Sequence, residues 1–262
     1  MIFLIAVFVA SLFWHGLGIT IGYHRLLAHR SFRCSKIVEY FWVSGGYLAM
    51  QASPAWWATV HRAHHKHAEN ELDPHSPKQS LFHSYFGWLL VQNDITTPGD
   101  LAGDLLKDPI YRFIERAESP PYALHWIANI LFRVFLFYCF GWQVCLANVL
   151  GAMYAFQVPL LLNLICHLPK LGHKRFATPD DSVNVKWMGI LALGEGWHNN
   201  HHAFPGSARM GLTKGEPDFS WMVIKLMQKI GLAYQVNDAL AIPPTISRHK
   251  ESDDYALAIT KH

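Results

Sequence analysis

The sequence predicts an all-α integral membrane protein, in which a bundle of transmembrane helices carries a helical cap on its cytoplasmic side. Hydrophobic residues make up 51% of the 262 residues and charged residues only 16%, whereas roughly one quarter of a soluble domain is charged. Three long apolar runs each approach the roughly 20 residues that a helix needs to cross a bilayer. We therefore expect one membrane domain over residues 1–262, with the cap formed by about 22–121 and 165–262.

The first apolar run covers about residues 1–21 and reads MIFLIAVFVASLFWHGLGITI. The first charged side chain after it is Arg25, so the run lacks the basic start of a secretory signal and is predicted to be a transmembrane span. The next apolar stretch, at 38–57, is interrupted by two glycines and a proline. Such a broken run predicts an interfacial or re-entrant segment rather than a full span.

Two further apolar runs, about 122–140 and 142–164, are separated by a short turn and predict a helical hairpin. Basic residues flank the ends of the runs next to HRLLAH, HRAHH and HNNHH. The positive-inside rule therefore places all three of these histidine motifs in the cytoplasm. Arg133 lies near the middle of its run, where a charge costs on the order of 3 kcal/mol. We expect its side chain to face protein.

Two shorter helices are predicted in the cap. LFHSYFGWLL at 81–90 has the pattern of an amphipathic surface helix. FSWMVIKLMQKI at 219–230 predicts a second helix, and the chain becomes a polar tail after Pro244.

Charge and cysteine content exclude some classes of function. The net charge is only +3, and the basic residues form no continuous stripe, so we expect no nucleic-acid partner. The 4 cysteines show no CxxC spacing, and neither disulfides nor cysteine chemistry are predicted.

Eight histidines are concentrated in the three motifs HRLLAH, HRAHH and HNNHH. They are His24, His29, His61, His64, His65, His198, His201 and His202. The last two motifs repeat the spacing i, i+3, i+4, which places three rings on one face of a helix, and two such triplets suggest two metal ions. Imidazole suits zinc, copper, iron and nickel about equally. A set of eight or nine nitrogen ligands favours redox or oxygen chemistry, because catalytic zinc commonly has three protein ligands.

Other polar residues are candidates to support this site. Asn163 and His167 are four residues apart at the end of the last apolar run, and His167 is either a ninth ligand or a histidine that reaches water. The other ring nitrogen of a metal-bound histidine donates to a carboxylate or a carbonyl, so we expect acids near the site. Candidates for this role are Asp73 and Glu195, with Glu69 and Glu71 as further possibilities.

These motifs resemble those of the membrane fatty acyl desaturase family, of the stearoyl-CoA and acyl-lipid delta-9 type. The matching segments, in order and spacing, are GITIGYHRLLAHRSF, HRAHHKHAENELDPHSP, the NxxxH of Asn163 and His167, and GEGWHNNHHAFPGSAR. The resemblance covers roughly residues 16–235.

The resemblance implies a di-iron enzyme that uses O2 and two external electrons to insert a cis double bond, with the Δ9 position favoured, into a long-chain acyl group. The acyl group would be a CoA thioester or lipid-bound, and the electron donor a protein such as ferredoxin or cytochrome b5. The implied iron ligands are the eight motif histidines and His167, with Asn163 acting through water. Trp56, Trp57 and Trp197 become candidates for the wall of a substrate tunnel.

The sequence also departs from the family pattern. The family usually has four spans, two of them before the first motif, so either the start is truncated or three spans place the amino terminus outside. An Arg-Asp pair expected in the acyl-CoA branch is replaced by Thr59 and Val60. The remaining motifs look more like the bacterial and cyanobacterial branch, which favours a bacterial inner membrane.

Two other functions remain open. A related di-iron hydroxylase or ketolase shares such histidine motifs, although the DPH and GEGWHNNHH strings favour a desaturase. A histidine-rich metal transporter or sensor, from a different class of protein, predicts ligands spread along the spans. Here the ligand candidates gather at the cytoplasmic ends.

Overall fold

The computed structural model describes residues 1–91, 97, 101–117 and 123–241. The predicted polar tail after Pro244 lies outside these residues. The described chain is mostly helical, with helices α1 (Ile2–Leu17), α2 (Lys36–Tyr47), α3 (Pro54–His67), α4 (Leu81–Tyr85), α5 (Pro109–Ala117), α6 (Ala123–Phe140), α7 (Trp142–Ile165), α8 (Lys186–Leu191), α9 (His198–Ala203) and α10 (Phe219–Lys229). Short 3₁₀ turns cover Gly87–Leu90, Leu105–Lys107, Pro169–Leu171 and Ala239–Ala241. Strands β1 (Arg33–Cys34) and β2 (Ala233–Tyr234) form a small antiparallel sheet in which Arg33 pairs with Tyr234.

Among the residues that the structure describes, three helical segments are long and apolar enough to cross a membrane, namely Ile2–Ala28, Ala123–Phe140 and Trp142–Ile165. The prediction of a helical membrane bundle with three spans is therefore confirmed. The first span is longer than predicted, because α1 continues directly into a π-helical segment at Gly18–Ala28. This segment carries the first histidine motif.

Helix α2 packs very closely against the π-helical segment. A Cβ atom at Gly18 would lie 2.4 Å from the backbone nitrogen of Gly46, and one at Gly45 would lie 2.5 Å from the carbonyl oxygen of Trp14. Only glycine permits this approach between the two backbones. The glycines that suggested a re-entrant segment in the sequence therefore form a helix-to-helix contact.

The carboxyl end of α2 is capped by side chains from the membrane spans. The His15 ring donates from Nδ1 to the carbonyl of Gly45 at 2.8 Å, and Arg133 donates from Nη2 to the carbonyl of Leu48 at 2.5 Å. A cation also interacts favourably with the negative end of a helix dipole. The expectation that Arg133 faces protein is confirmed, and its position meets the requirement that backbone groups at membrane depth be hydrogen-bonded.

The two helices predicted in the cap are confirmed, the first as α4 followed by the 3₁₀ turn and the second as α10. Helix α8 lies against the membrane bundle, where the hydroxyl of Tyr154 in α7 donates to the carbonyl of Leu191 at 3.0 Å. Leu193 also contacts the first span near Gly16. Because α9 follows only a few residues later, these contacts fix the third histidine motif to the spans.

Candidate metal centre

Nine histidines from four separate segments converge at the ends of the spans. The contributing segments are the π-helical segment with the residue after it, α3, the residues just after α7, and α9. The histidines are His24, His29, His61, His64, His65, His167, His198, His201 and His202. The structure therefore brings all nine histidines of the sequence analysis into one region.

The first motif depends on the π-helix. His24 and His29 are five residues apart, and on an α-helix this spacing would leave the two rings about 140° apart around the axis. The wider turn of a π-helix closes hydrogen bonds between residues five apart, and the backbone of His29 donates to the carbonyl of His24 at 3.0 Å. The two rings consequently lie together, with centroids 4.8 Å apart.

Five of the histidines form the first group, in which all candidate ligand atoms lie within 4.8 Å of one another. Their Nε2 atoms face each other. The distances are 2.7 Å for His29 to His61, 3.1 Å for His61 to His65, 2.9 Å for His65 to His201 and 3.1 Å for His201 to His24. This group can hold one metal ion.

The other four histidines, His64, His167, His198 and His202, form a second group within the same distance limit. Nε2 of His198 lies 3.0 Å from Nε2 of His167 and 3.1 Å from Nε2 of His202. The structure thus offers two adjacent metal sites.

Each HxxHH triplet contributes to both groups. His61 and His65 belong to the first group while His64 belongs to the second. In α9 the division is reversed, since His198 and His202 belong to the second group and His201 to the first. The two helices face each other, so each reaches both sites.

Four carboxylates accept hydrogen bonds from the Nδ1 atoms of these rings. Glu195 accepts from His24, Asp73 from His64 at 3.0 Å, Glu69 from His167 at 2.7 Å and Asp180 from His202 at 2.9 Å. The structure places Asp73 and Glu195 where the sequence analysis expected supporting acids, and it also uses Glu69. Glu71 is exposed. Asp180 was missed, because no spacing links it to a histidine 22 residues further along the chain.

The hydrogen bonds make these histidines suitable for a metal. A ring that donates from Nδ1 to a carboxylate keeps an unprotonated Nε2, which is the form that binds metal. In the second group, His64, His167 and His202 all present such atoms. Nε2 of His64 is buried without a hydrogen-bond partner among the described residues. Converging lone pairs of this kind require a cation, so the residues fit a bound metal ion.

The pKa shifts of most residues at the site also favour metal binding. Burial lowers the pKa of seven of these rings, and neighbouring histidines lower most of them further: His29, His61, His65, His167, His198, His201 and His202. Burial disfavours the charged form of Glu195, but His24 and Arg25 still hold its pKa below the ordinary value. Metal binding needs neutral imidazoles and charged carboxylates. Asp73, Asp180 and Glu195 have lowered pKa values, whereas burial raises the pKa of Glu69 to about 7.

An apolar cavity of about 480 Å³ adjoins the histidines. Its wall includes Trp56, Trp57 and Asn163 together with His61 of the first group. Trp197 is not among the described residues that line the cavity, because its buried indole donates to the carbonyl of Pro217 at 2.8 Å and packs on Gly189. The structure therefore places two of the three predicted tunnel tryptophans at the cavity and the third elsewhere.

His75 also lies in this region, although it is outside the three histidine motifs and was not predicted as a ligand. It lines the cavity, and its ring lies 4.4 Å from that of His64, centroid to centroid. In the sequence, the DPH motif that contains His75 was the only indication that it lies near the metal ligands.

Thr59 and Val60 stand where the acyl-CoA branch was expected to have an Arg-Asp pair. Thr59 is buried and donates to the carbonyl of Ala55, and Val60 lines the cavity, so neither side chain offers a charge.

Comparison with known proteins agrees with this geometry. A family model described as fatty acid desaturase matches residues 1–213. An sn-1 stearoyl-lipid 9-desaturase from Anabaena variabilis is 38% identical over 231 residues, which cover 86% of this chain and 81% of the relative. An acyl-CoA 5-desaturase from Anemone leveillei is 38% identical over 244 residues, or 90% of this chain and 70% of the relative.

A further relative is delta-9 acyl-lipid desaturase 2 from Arabidopsis thaliana, which is 39% identical over 237 residues, or 88% of this chain and 74% of the relative. The spans, the histidine groups and these matches define an integral membrane oxidoreductase that uses O2. The chain belongs to the fatty acid desaturase family.

Proposed function

We propose that this chain inserts a cis double bond at the Δ9 position of a long-chain acyl group. Two hydrogens leave adjacent methylenes, and O2 is reduced to two molecules of water. The reaction therefore also consumes two electrons and two protons from outside the acyl chain. The proposal rests on one observation, namely that two sets of converging Nε2 atoms lie together and that one of them, through His61, adjoins an apolar cavity.

The metal sites are proposed to hold two iron ions, with the nine histidines as ligands and Asn163 acting through a water molecule. Iron bound there would supply the O2 and one-electron chemistry that amino-acid side chains lack. Glu195, Asp73, Glu69 and Asp180 hold the rings in the orientation and tautomer that leave Nε2 free.

The cavity is proposed to position the acyl chain. Trp56 and Trp57 give its wall a broad apolar surface that excludes water and fixes which methylenes lie beside His61. The names of the Anabaena and Arabidopsis relatives support Δ9 over the position named for the Anemone enzyme.

The carrier of the acyl group is proposed to be a lipid or CoA, and the uncharged Thr59 and Val60 favour a lipid. We place the histidines on the cytoplasmic face of a bacterial inner membrane. There a ferredoxin or a cytochrome b5 could supply the electrons.

The test is expression in a host that lacks its own desaturase, followed by location of double bonds in its lipids. We expect Δ9 products from the wild type and none from His61→Ala. His173→Ala changes an exposed histidine and serves as the matched control. Iron-loaded wild-type protein that leaves the host lipids unchanged would refute the proposal, and hydroxylated products would indicate the related hydroxylase reaction.

A further inference from the structure

The turn between α2 and α3 has an unusual backbone. Met50 and Ala52 have φ values of 60° and 58°, in the left-handed region. Residues with side chains rarely adopt this region, and where they do, the surrounding structure must hold them. Backbone strain of this kind is concentrated at positions where the geometry itself matters.

Four side chains from three elements hold this turn. Arg133 donates to the carbonyl of Leu48 at 2.5 Å, Asn129 to that of Tyr47 at 3.1 Å, Tyr23 to that of Ala52 at 2.8 Å, and the Trp57 indole to Oε1 of Gln51 at 3.0 Å. The donors belong to the first span, to α3 and to α6. The position of Met50 is therefore fixed from several sides.

Met50 separates two cavities. On one side is the cavity of about 480 Å³ that reaches His61 and Asn163. On the other is a groove of about 490 Å³ between α6 and α7, lined by Val134, Phe137 and Val149 among others. Met50 and Trp126 line both spaces. They form the boundary between them.

We propose that Met50 and Trp126 are a partition that limits how far an acyl chain extends beyond the metal centre, so that they determine chain-length selectivity. This proposal rests on the proposed function. Each methylene that an acyl chain buries makes its binding free energy more favourable, and the groove offers further apolar space on the other side of Met50 and Trp126. With the partition in place, the methyl end of the chain must stop at Met50.

Met50→Gly is the variant that tests the partition. Glycine adopts a positive φ without strain, so the turn should form at least as readily as in the wild type. Loss of the thioether side chain opens the cavity to the groove. In a desaturase-deficient host given palmitate, stearate and arachidate, we expect the ratio of arachidate to palmitate product to rise by roughly tenfold, the lower range for a methylene-sized change in an apolar pocket.

Three further variants separate the partition from a general structural effect. Trp126→Leu should change the ratio in the same direction, because it opens the boundary from the other side. Met50→Leu preserves the volume and should keep the wild-type profile. Val149→Phe fills the groove, so it should leave the wild-type profile unchanged and abolish the gain in combination with Met50→Gly.

The outcomes separate the two proposals. A wild-type protein that forms no unsaturated product from any of the three acids refutes the proposed function. An active wild type whose product ratio is unchanged in both Met50→Gly and Trp126→Leu overturns the partition. A wild-type profile that Val149→Phe shifts toward palmitate also overturns it, because the acyl chain would then already occupy the groove.

Discussion

Asp73 shows how much one carboxylate contributes to the candidate metal centre. Its side chain accepts from Nδ1 of His64 at 3.0 Å and from the backbone nitrogens of Glu69 and His75 at 2.8 and 3.1 Å. Burial disfavours its charge, but His64 and these hydrogen bonds hold its pKa well below the ordinary value. A single charged side chain thus orients a ligand and closes the loop after α3.

Asp73→Asn should weaken metal binding while preserving the shape of the side chain. We expect metal occupancy or activity to fall about 10- to 100-fold, as is usual when the partner of a metal-bound histidine is changed. Metal analysis and product yield measure the effect. Glu71→Gln, at an exposed position two residues away, should match the wild type, and equal losses in the two variants would contradict the role of Asp73.

The buried histidines also predict a pH dependence. Their pKa values are lowered in the folded protein by burial, as for His61, His65 and His198. Below pH 6.5 the unfolded chain therefore binds more protons than the folded chain, so stability falls as the pH falls. We expect the unfolding temperature of the metal-free protein to decrease from pH 8 to pH 5, and bound metal to be released over the same range. A flat profile would contradict this.

At the scale of elements, the spans could be predicted from composition, but the π-helical segment could not. Hydropathy is similar for an α-helix and a π-helix, so the run that ends near residue 21 gave no sign that the helix continues to Ala28. The interruption of the apolar run at 38–57 was recognisable from Gly45, Gly46 and Pro54, and α2 ends within it. Its capping by His15 and Arg133 could not be predicted, because it depends on how three helices pack in space.

Arg133→Met tests this capping. The change removes the donor to the carbonyl of Leu48, a half-buried residue, which should cost about 1–3 kcal/mol. We expect a lower unfolding temperature for Arg133→Met and a smaller decrease for Arg133→Lys, which keeps a cation at the end of α2. Tyr138→Phe, at an exposed position of the same helix, should have no effect. Wild-type stability of Arg133→Met would show that lipid or water replaces the donor.

In the whole molecule, the two metal sites connect segments that are distant in the sequence. The triplet spacing predicted two metal ions, yet the division of each triplet between sites depends on α3 and α9 facing each other, with His65 next to His201. Asp180 is a similar case, since its contact with His202 depends on the path of the loop before α8. Sequence spacing identifies residues on one helix, whereas the assembled site is set by packing between helices.

This arrangement predicts that metal removal loosens the cap and spares the far side of the bundle. Metal that binds only the folded form stabilises it by about 4 kcal/mol when its free concentration is roughly 1,000 times Kd. After chelation we expect a lower unfolding temperature and faster hydrogen exchange in α3 and α9. Helix α6 supplies no ligand histidine and is the internal control. Equal acceleration in α6 would show global unfolding, and unchanged exchange in α3 and α9 would show that the metals do not hold the cap together.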